Sequence, residues 1–313
     1  MARIVFMGTP DFAVPVLHAL TQTTHPIVGV FTRRDKPAGR GNQLHPSPIK
    51  QLALARGLPI FQPTSLRKPD VIEHLRTLAP DVIIVAAFGL ILPPEVLTIP
   101  PRGCINTHAS LLPRHRGAAP ITAAILAGDT ETGVTLMQMD EGIDTGPILA
   151  QRAVPIDDED TTATLTEKLA NLAAALLIEM LPRILAGDIA PQPQDDSRAT
   201  FTKMIRKEEG RIDWTRPASE IARRVRAFNP WPSAYTFWNG TPLKILRASA
   251  SDFKTDAEPG QVIQLQNKIA VATGEGMLVL HEVQLAGKRA MKIEEFVRGQ
   301  KRFVGNVLKN QDA

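Results

Sequence analysis

Apolar runs and amphipathic stretches alternate along the first half of the chain. Short apolar runs at 3–8, 26–32 and 81–89 predict strands. The stretches at 11–22 and 47–57 carry apolar residues at helical spacing and predict helices between those strands. This strand–helix–strand order predicts an α/β domain with a Rossmann-like, mostly parallel sheet and helices on both faces. Functional residues of such a sheet lie beyond the carboxyl ends of its strands.

The pattern changes after one long amphipathic stretch at 160–188, which predicts a helix. The segment 189–206 begins with a run rich in Pro, Gln and Asp, and it predicts a linker. A further helix is predicted at 217–228. Short strand-like runs with glycine-containing turns follow at 243–249, 260–266, 268–274 and 276–285. These runs predict a small OB-like β-barrel, so we expect a first domain at 1–188 and a barrel domain at 207–313.

The composition, 43% hydrophobic and 22% charged residues, is typical of a soluble globular protein. The longest apolar run, at 82–92, is shorter than the roughly 20 residues that a membrane-spanning helix needs. Met1 leads into a strand-like run rather than a targeting segment. The single cysteine, Cys104, excludes an internal disulfide and a multi-cysteine zinc site. We therefore expect a cytoplasmic protein without a membrane segment.

Two common nucleotide-binding signatures are missing from the sequence. The turn after the first strand, MGTPDFA at 7–13, has one glycine and does not match the G-x-G-x-x-G dinucleotide fingerprint. No Walker A sequence occurs anywhere in the chain. The sequence therefore disfavours a nicotinamide or flavin enzyme and an ATPase.

Charge is distributed unevenly, although the net charge is only +4. Residues 203–313 contain 19 Lys and Arg against 12 Asp and Glu, a balance of +7, whereas residues 1–202 have a balance of −3. A basic second domain favours a polyanionic partner. The alternative is a solvated basic surface that has no partner.

Two strong hydrogen-bonding side chains lie close together in the stretch CINTHASLLP at 104–113. Because strand side chains alternate between faces, Cys104, Asn106 and His108 share one face, and Pro113 ends the strand soon afterwards. An amide and an imidazole at a strand end can stabilise an oxyanion and move a proton. The alternative is that both side chains only satisfy buried backbone groups.

An acidic loop is predicted within GVTLMQMDEGIDTGPIL at 133–149. Asp140, Glu141 and Asp144 crowd this loop, and a carboxylate placed beside His108 by folding could orient its ring. A capping role or a calcium site are the alternatives for these carboxylates. The spacing does not match an EF-hand loop, and we predict no metal site.

Longer stretches of the chain resemble the folate-dependent formyltransferase family. NTHASLLP at 106–113, with RHRGAAP following it, matches the family's Asn-x-His pair before Ser-Leu-Leu-Pro. TGVTLMQMDEGIDTGPIL at 132–149 matches its second signature and puts Asp144 at the catalytic aspartate. Further matches are MGTPDFA (7–13), DKPAGRG (35–41), AAFGLILP (86–93) and AFNPWPSA (227–234), so the resemblance covers nearly the whole chain.

The resemblance implies transfer of a formyl group from 10-formyltetrahydrofolate to the amino group of methionine on initiator tRNA. It implies a catalytic trio in which Asn106 donates to the oxyanion and His108, held by Asp144, relays a proton. It also implies a folate site, with these expected lining residues: Ser110, Leu111, Leu112, Pro113, Phe88, Leu90, Leu92, Met139, Asp140 and Gly142. The donor is a cosubstrate, and no metal or protein partner is expected.

Basic residues in two regions are the candidates for contacts with tRNA. The loop 32–48 is an Arg-rich insertion among Pro and Gly that could enter an acceptor stem, and in the family the position of Arg40 is important for tRNA. The barrel domain could contact phosphates. The candidates are Arg33, Arg34, Lys36 and Arg40 in the loop, and Arg223, Arg224, Lys244, Arg247, Lys288 and Arg289 in the barrel domain.

Three other functions remain as alternatives at this point. A formyltransferase could act on a small amine, such as a nucleotide or an amino sugar, or a hydrolase could use water as the acceptor. The separate basic domain and the Arg-rich loop favour a tRNA substrate over a small amine. The third alternative is a non-catalytic tRNA-binding protein, and the presence of Asn106, His108 and Asp144 argues against it.

Overall fold

The computed structural model describes residues 1–38 and 43–309, and the chain forms two compact units. Within the described residues, the first unit comprises Met1–Pro120, Glu131–Pro155 and Thr166–Thr202. The second unit comprises Ile121–Thr130, Ile156–Leu165 and Lys203–Ala313. The domain limits expected from the sequence, 1–188, 189–206 and 207–313, remain predictions.

The first eleven strands and six helices lie before residue 203. The strands are β1 (Ile4–Gly8), β2 (Ile27–Phe31), β3 (Lys36–Ala38), β4 (Gln43–His45), β5 (Ile60–Phe61), β6 (Val82–Ala86), β7 (Cys104–His108), β8 (Arg116–Gly117), β9 (Glu131–Gln138), β10 (Ile148–Pro155) and β11 (Phe201–Thr202). The helices are α1 (Val14–Leu20), α2 (Pro48–Ala55), α3 (Pro69–Thr77), α4 (Pro94–Leu97), α5 (Pro120–Ala127) and α6 (Thr162–Ala186). Short 3-10 turns precede α1 at Asp11–Ala13 and follow α6 at Asp196–Arg198.

Seven of these strands form one sheet in the order β10-β9-β7-β6-β1-β2-β5. The pairs from β5 to β7 are parallel, and β9 is antiparallel to both β7 and β10. Gly8 pairs with Ala86 and Val85 with Asn106, so β1, β6 and β7 end at the same edge. The predicted mostly parallel sheet is confirmed, and β7 delivers His108 to its carboxyl edge.

The core of this unit buries β6 and β7 along their whole length. Every residue of both strands is buried, and Ile83, Val85 and Cys104 belong to a cluster that also contains Phe31 and Leu75. Burial of such side chains contributes roughly 1.5–3 kcal/mol each. The two strands therefore form a rigid platform, from which polar side chains at their ends can project in fixed directions.

The longest helix, α6, is long and apolar enough to cross a membrane by length and composition alone. Its most apolar window of 18 residues has a mean hydropathy of 1.6, and half of that window is buried within the protein. Buried residues recur at helical spacing, at Leu165, Leu169, Ala173, Leu177 and Ile184. A buried stripe of this kind is typical of a core helix.

The basic insertion at 32–48 contains regular structure that the sequence did not predict. Strands β3 and β4 pair in antiparallel fashion, with Lys36 opposite His45. Arg40, a predicted tRNA contact, lies outside the described residues. For Lys36 the structure describes only the backbone, so both assignments remain predictions.

The second unit is built mainly on an antiparallel sheet. Its elements after residue 203 are a 3-10 turn at Lys207–Gly210, the helices α7 (Ala218–Ala227) and α8 (Ile293–Gly299), and the strands β12 (Ala234–Trp238), β13 (Thr241–Ser251), β14 (Val262–Leu265), β15 (Lys268–Ala272), β16 (Met277–Leu285) and β17 (Met291–Lys292). The sheet order is β12-β13-β16-β15-β14, and β17 pairs with β16. Trp238, Phe296 and Phe303 meet edge to face in its core, with ring centroids 5.0–5.7 Å apart.

A short segment near the end of the chain joins the two edges of this sheet. Lys309 and Phe237 of β12 exchange two backbone hydrogen bonds of 3.1 Å. At the opposite edge, the Val262 amide donates to the Asn306 carbonyl over 2.8 Å. Because residues 305–309 bond to both edge strands, the sheet closes into the predicted small barrel.

Candidate active site

The end of β7 carries the two polar side chains that the sequence singled out. Asn106 and His108 are buried, with 9% and 6% of their surface exposed. They lie two residues apart on a strand and therefore share one face, together with Cys104. Buried polar side chains require partners, and both find one on the loop between β9 and β10.

The Asp144 carboxylate is the point where these side chains converge. Its Oδ1 atom accepts from Asn106 Nδ2 at 3.4 Å. Its Oδ2 atom accepts from the Gly117 amide at 2.8 Å and lies 3.5 Å from His108 Nδ1. Only 16% of the Asp144 side chain is exposed. The structure thus brings together the three residues that the sequence proposed as catalytic.

The other ring nitrogen of His108 fixes how that ring can act. His108 Nε2 lies 3.1 Å from the His115 carbonyl, which can only accept a hydrogen bond, so Nε2 carries the hydrogen. In the neutral ring, Nδ1 is then unprotonated and faces the Asp144 carboxylate. Nδ1 is therefore the nitrogen that can gain a proton and return it, with a carboxylate beside it to stabilise the charged ring.

Within the part of the chain that the structure describes, the other two carboxylates of the acidic loop, Asp140 and Glu141, do not hydrogen-bond to the side chains on β7. Asp140 Oδ1 accepts from the Gly142 amide at 3.1 Å and from Thr145 Oγ1 at 2.7 Å, so its side chain shapes the loop. Glu141 is exposed. Among the described residues there is no group of three or more His, Cys, Asp or Glu side chains that could hold a metal ion. Of these carboxylates, only Asp144 reaches His108.

The Ser110–Pro113 loop, a predicted folate contact, is held from β9 and β10. Thr135 Oγ1 donates to the Ser110 carbonyl at 2.7 Å and accepts from the Leu112 amide at 3.1 Å. Gln151 Nε2 donates to the Leu112 carbonyl at 2.8 Å. Ser110 and Leu112 are buried, Leu111 and Pro113 are half-buried, and the Leu112–Pro113 peptide bond is cis. The loop is therefore fixed through its backbone.

Four of the apolar residues predicted to line the folate site lie in one cluster. Phe88 and Leu92 are buried there with Cys104, and the half-buried Leu90 and Met139 pack against them. Met139 begins the acidic loop, so this apolar wall continues into the backbone of Asp140 and Gly142, both of which are exposed. Burial raises the pKa of the Cys104 thiol to about 12.

The basic candidates in the first unit make contacts with the backbone. The Arg33 guanidinium donates to the Gly89 carbonyl, and Arg34 Nε donates to the Gln62 carbonyl at 3.4 Å. Both arginines line a cavity of about 330 Å³ beside Thr9 at the end of β1. Arg33 is thus tied to the segment that follows β6, while Arg34 remains exposed.

Four basic candidates lie on exposed parts of the barrel. Lys244 and Arg247 are exposed on β13, whereas Leu243, Ile245 and Ala248 are buried. A bulge between Ile245 and Arg247 shifts the register and keeps both basic side chains outside. Lys288 and Arg289 lie in the exposed turn between β16 and β17, and Arg289 pairs with Glu295. Lys244 lies opposite Gln284 in the pairing of β13 with β16. The side-chain amide of Gln284 donates to the Lys288 carbonyl at 3.0 Å, so Lys244 adjoins this turn.

Arg223, Arg224 and, although it is exposed, Arg247 are closer to other protein groups. Arg224 donates to the Glu209 carbonyl at 2.6 Å and its guanidinium lies 5.1 Å from the Phe228 ring centre. Arg223 and Arg247 line a cavity of about 650 Å³ whose wall also contains carboxylates. Arg247 Nε lies 3.6 Å from a carboxylate oxygen of Glu159. These arginines therefore face opposite charge or backbone acceptors as well as solvent.

Sequence reasoning missed two residues that support the site. Gln194 Nε2 donates to the carbonyls of Asp144 and Gly146, at 2.8 and 2.7 Å. Arg116, which is 2% exposed, donates twice to Gln194 Oε1, at 2.8 and 3.1 Å. Arg116 stood in a matched motif without an assigned role. Gln194 lay in a polar stretch that gave no signal beyond a linker.

Two family models match the chain. The family model described as Formyl transferase matches residues 2–181, and the model described as Formyl transferase, C-terminal domain matches residues 204–301. The first match alone covers more than half of the chain. The chain belongs to the formyl transferase family.

Curated relatives match over almost their entire length. A protein of Methylococcus capsulatus named methionyl-tRNA formyltransferase is 52% identical over 94% of this chain and 96% of its own. Proteins with the same name from Chloroflexus aggregans and Coxiella burnetii are 51% and 48% identical, over 95% and 98% of this chain and 97% and 98% of their own. The likeness therefore includes both units.

Solved structures with lower identity share the fold. WlaRD, a sugar 3N-formyl transferase crystallised with dTDP and 5-N-formyl-THF, is 20% identical, with a TM-score of 0.67 over 92% of this chain and 99% of its own. HypX from Aquifex aeolicus, in complex with tetrahydrofolic acid, is 19% identical, with a TM-score of 0.65 over 97% of this chain. This chain spans 48% of the HypX chain. At these identities the likeness concerns the fold alone.

Proposed function

We propose that this chain transfers the formyl group of 10-formyltetrahydrofolate to the amino group of methionine on initiator methionyl-tRNA. The observation that carries the proposal is the convergence of Asn106, His108 and Asp144 within 3.5 Å at the end of β7. Membership of the formyl transferase family and the relatives named methionyl-tRNA formyltransferase, at 46–52% identity, support it. The same relatives support action in the cytoplasm, where initiator tRNA is charged.

The reaction forms a bond between the amine nitrogen and the formyl carbon and breaks the bond from that carbon to the folate nitrogen. Negative charge builds up on the formyl oxygen in between. In our assignment, Asn106 Nδ2 donates one hydrogen to Asp144 and keeps its second hydrogen for that oxygen. A preorganised donor of this kind typically contributes about 3–4 kcal/mol to transition-state stabilisation.

One proton must leave the attacking amine, and one must reach the departing folate nitrogen. We assign this relay to Nδ1 of His108, because Nε2 is already committed to the His115 carbonyl. The Asp144 carboxylate stabilises the charged ring from 3.5 Å. That contact is long, as catalytic contacts often are before substrate binds. The relay needs no covalent enzyme intermediate.

The residues beside the trio fit a folate. When bound, 10-formyltetrahydrofolate supplies an electrophilic formyl carbon. A flat heterocycle with a hydrogen-bonding edge suits an apolar wall that borders exposed backbone. Phe88, Leu90, Leu92 and Met139 provide the wall, and the backbone at Asp140 and Gly142 provides the edge. The backbone-fixed Ser110–Pro113 loop completes the expected lining.

The tRNA would be held mainly by exposed basic residues. Lys244 and Lys288 are the strongest candidates, because both are exposed and Lys244 adjoins the turn that carries Lys288. Arg289 lies in the same exposed turn and also pairs with Glu295. Phosphate contacts of this kind make affinity depend on salt. In the first unit, both arginines donate to backbone carbonyls, but Arg34 is exposed and Arg33 is half-buried, so Arg34 is the more accessible of the two.

A single assay tests this proposal against its alternatives. The protein is incubated with 10-formyltetrahydrofolate carrying a labelled formyl group, and with initiator methionyl-tRNA, elongator methionyl-tRNA, amino sugar nucleotides or water alone. We expect label on initiator methionyl-tRNA and strong loss of transfer in Asp144→Asn, which keeps the shape of the side chain. Label on a small amine alone, release of formate without an acceptor, or tRNA retention without transfer would each replace the proposal by one of the alternatives.

A further inference from the structure

The backbone of Asp144 adopts a conformation that side chains other than glycine seldom adopt. Its φ angle is +54°, in the left-handed region. Aspartate tolerates this region better than most residues, but the conformation persists only where surrounding contacts hold it. The direction of the Asp144 carboxylate therefore depends on what holds residues 144–146.

One side-chain amide holds both ends of that turn. Gln194 Nε2 donates to the Asp144 carbonyl at 2.8 Å and to the Gly146 carbonyl at 2.7 Å. An amide nitrogen has two hydrogens, and both are used here. Within residues 144–146, Gln194 thus fixes the two carbonyls that bracket the turn.

The orientation of this amide is set by Arg116. Arg116 Nε and Nη2 donate to Gln194 Oε1, and Arg116 Nη2 also donates to Asp196 at 2.7 Å. A guanidinium has donors only, so it must face the oxygen of the amide and turn the nitrogen toward Asp144. Arg116 is buried and planar, and it holds Gln194 in one rotamer.

The carboxylate of Asp144 is held from the residue next to Arg116. The Gly117 amide donates to Asp144 Oδ2 at 2.8 Å. Gly117 has a φ of +110°, and a Cβ atom there would lie 2.4 Å from the Thr202 carbonyl oxygen, so only glycine fits. Arg116 therefore holds the Asp144 carbonyl through Gln194, and Gly117 holds the Asp144 carboxylate directly. These two residues form β8.

We propose that Gln194 is a positioning residue for formyl transfer: it holds Asp144 in the left-handed conformation from which the carboxylate reaches Asn106 and His108, and Arg116 sets its amide orientation. The inference rests on the proposed function, because it assigns a role to Asp144 in that reaction. Gln194 itself does not touch the reacting atoms in this assignment. It acts through the backbone of Asp144.

The test compares Gln194→Ala and the isosteric Gln194→Glu with wild type in steady-state formylation. Gln194→Glu keeps the oxygen that faces Arg116 but places a second oxygen against two carbonyls. We expect both variants to lower kcat by about 10- to 100-fold, with KM for the folate donor within about threefold. The matched control is Gln192→Ala, because the Gln192 side chain is exposed and its bonds to Ile148 are made by the backbone. We expect wild-type kcat there.

A double variant separates positioning from general support of the fold. If Gln194 acts through Asp144, then in the Asp144→Asn background Gln194→Ala should lower kcat by less than about threefold further. Multiplication of the two single effects, or a kcat within threefold of wild type for both Gln194 variants, would overturn the proposal. Thermal unfolding of each variant shows whether lost stability accounts for lost rate, and Gln194→Glu replaces Gln194→Ala if the latter unfolds. The acceptor that wild type formylates tests the proposed function separately. The coupling between Gln194 and Asp144 is a ratio of kcat values, and it can be measured with whichever acceptor that is.

Discussion

The two units place their polar side chains in opposite ways. In the first unit, the side chains proposed for chemistry lie at the carboxyl edge of a mostly parallel sheet, largely buried. One of them, Asp144, contacts Asn106, His108, Gly117 and, through its backbone, Gln194. In the second unit, basic side chains such as Lys244 and Lys288 lie exposed on a closed antiparallel sheet. The contacts in the first unit fix the directions of its polar side chains. The second unit instead concentrates positive charge on its surface.

This difference follows from what each task requires. Stabilising charge at one oxygen needs donors held to within a fraction of an ångström, and burial with several partners achieves that. Attracting a polyanion needs positive charge over a broad surface, and flexible exposed side chains suffice. Changes in the first unit should therefore alter turnover, and changes on the exposed barrel surface should alter affinity.

The largest expected effect is the loss of turnover in Asn106→Ala and His108→Ala. Each variant should lower kcat at least about a hundredfold, because each removes a preorganised donor or the proton relay. Donor KM and tRNA affinity should change by less than about threefold, which steady-state kinetics and filter binding can measure. Thr107→Val, a near-isosteric change on the opposite face of β7, is the control and should retain near wild-type turnover. If the Asn106 or His108 variant kept a turnover comparable to that of the control, the expectation that changes in the first unit alter turnover would be wrong.

A smaller effect is expected when the basic cluster of the barrel is neutralised. The triple variant Lys244→Ala/Lys288→Ala/Arg289→Ala should weaken tRNA binding and leave kcat at saturating tRNA unchanged. Each lost phosphate contact should reduce the slope of log K against log salt by about 0.7–0.9. Titrations between low and moderate salt measure that slope.

The matched control for this cluster removes the same charge from other elements of the barrel unit. Lys254, Lys268 and Lys301 are exposed there, and their triple alanine variant should keep most of the salt slope. Equal loss in both triple variants would mean that net charge, and not this cluster, attracts the tRNA.

The smallest effect is expected at Cys104, which shares the strand face of Asn106 and His108. Burial raises the pKa of its thiol to about 12, so below about pH 10 the nucleophilic thiolate is scarce. Cys104→Ala should keep kcat within about threefold, and iodoacetamide at pH 8 should label Cys104 only after denaturation. Rapid labelling of the native protein, or a kcat lowered as far as in Asn106→Ala, would show that the functional face extends deeper along β7.

The sequence was sufficient for the fold class because local patterns determine it. A short apolar run such as 81–89 between helical patterns favours a buried strand, and the structure places β6 there as part of the mostly parallel sheet. Asn106 and His108 could also be singled out from the sequence, because side chains alternate between the faces of a strand and these two therefore share one face. The roles assigned to the site residues remain predictions.

Other features could not be predicted from local sequence patterns, because they depend on contacts between distant segments. The local pattern left several carboxylates open for His108, and only the family resemblance assigned it Asp144; the contacts that hold Asp144 come from Gly117 and Gln194, which are 27 and 50 residues away. The bulge in β13 that keeps Lys244 and Arg247 on one side is a change of register, which an alternating pattern does not reveal. Gln194 itself looked like part of a polar linker, since a glutamine has no local pattern that marks it as a positioning residue.

The closure of the barrel by residues 305–309 also has a consequence for how the protein is made. These residues leave the ribosome after the strands whose edges they join, and until they do, Phe237 and Val262 lack this backbone partner. Unpaired strand edges are sites of mispairing with other chains. During synthesis, the second unit is therefore exposed to aggregation until residues 305–309 emerge, whereas the strands described before residue 203 are already outside.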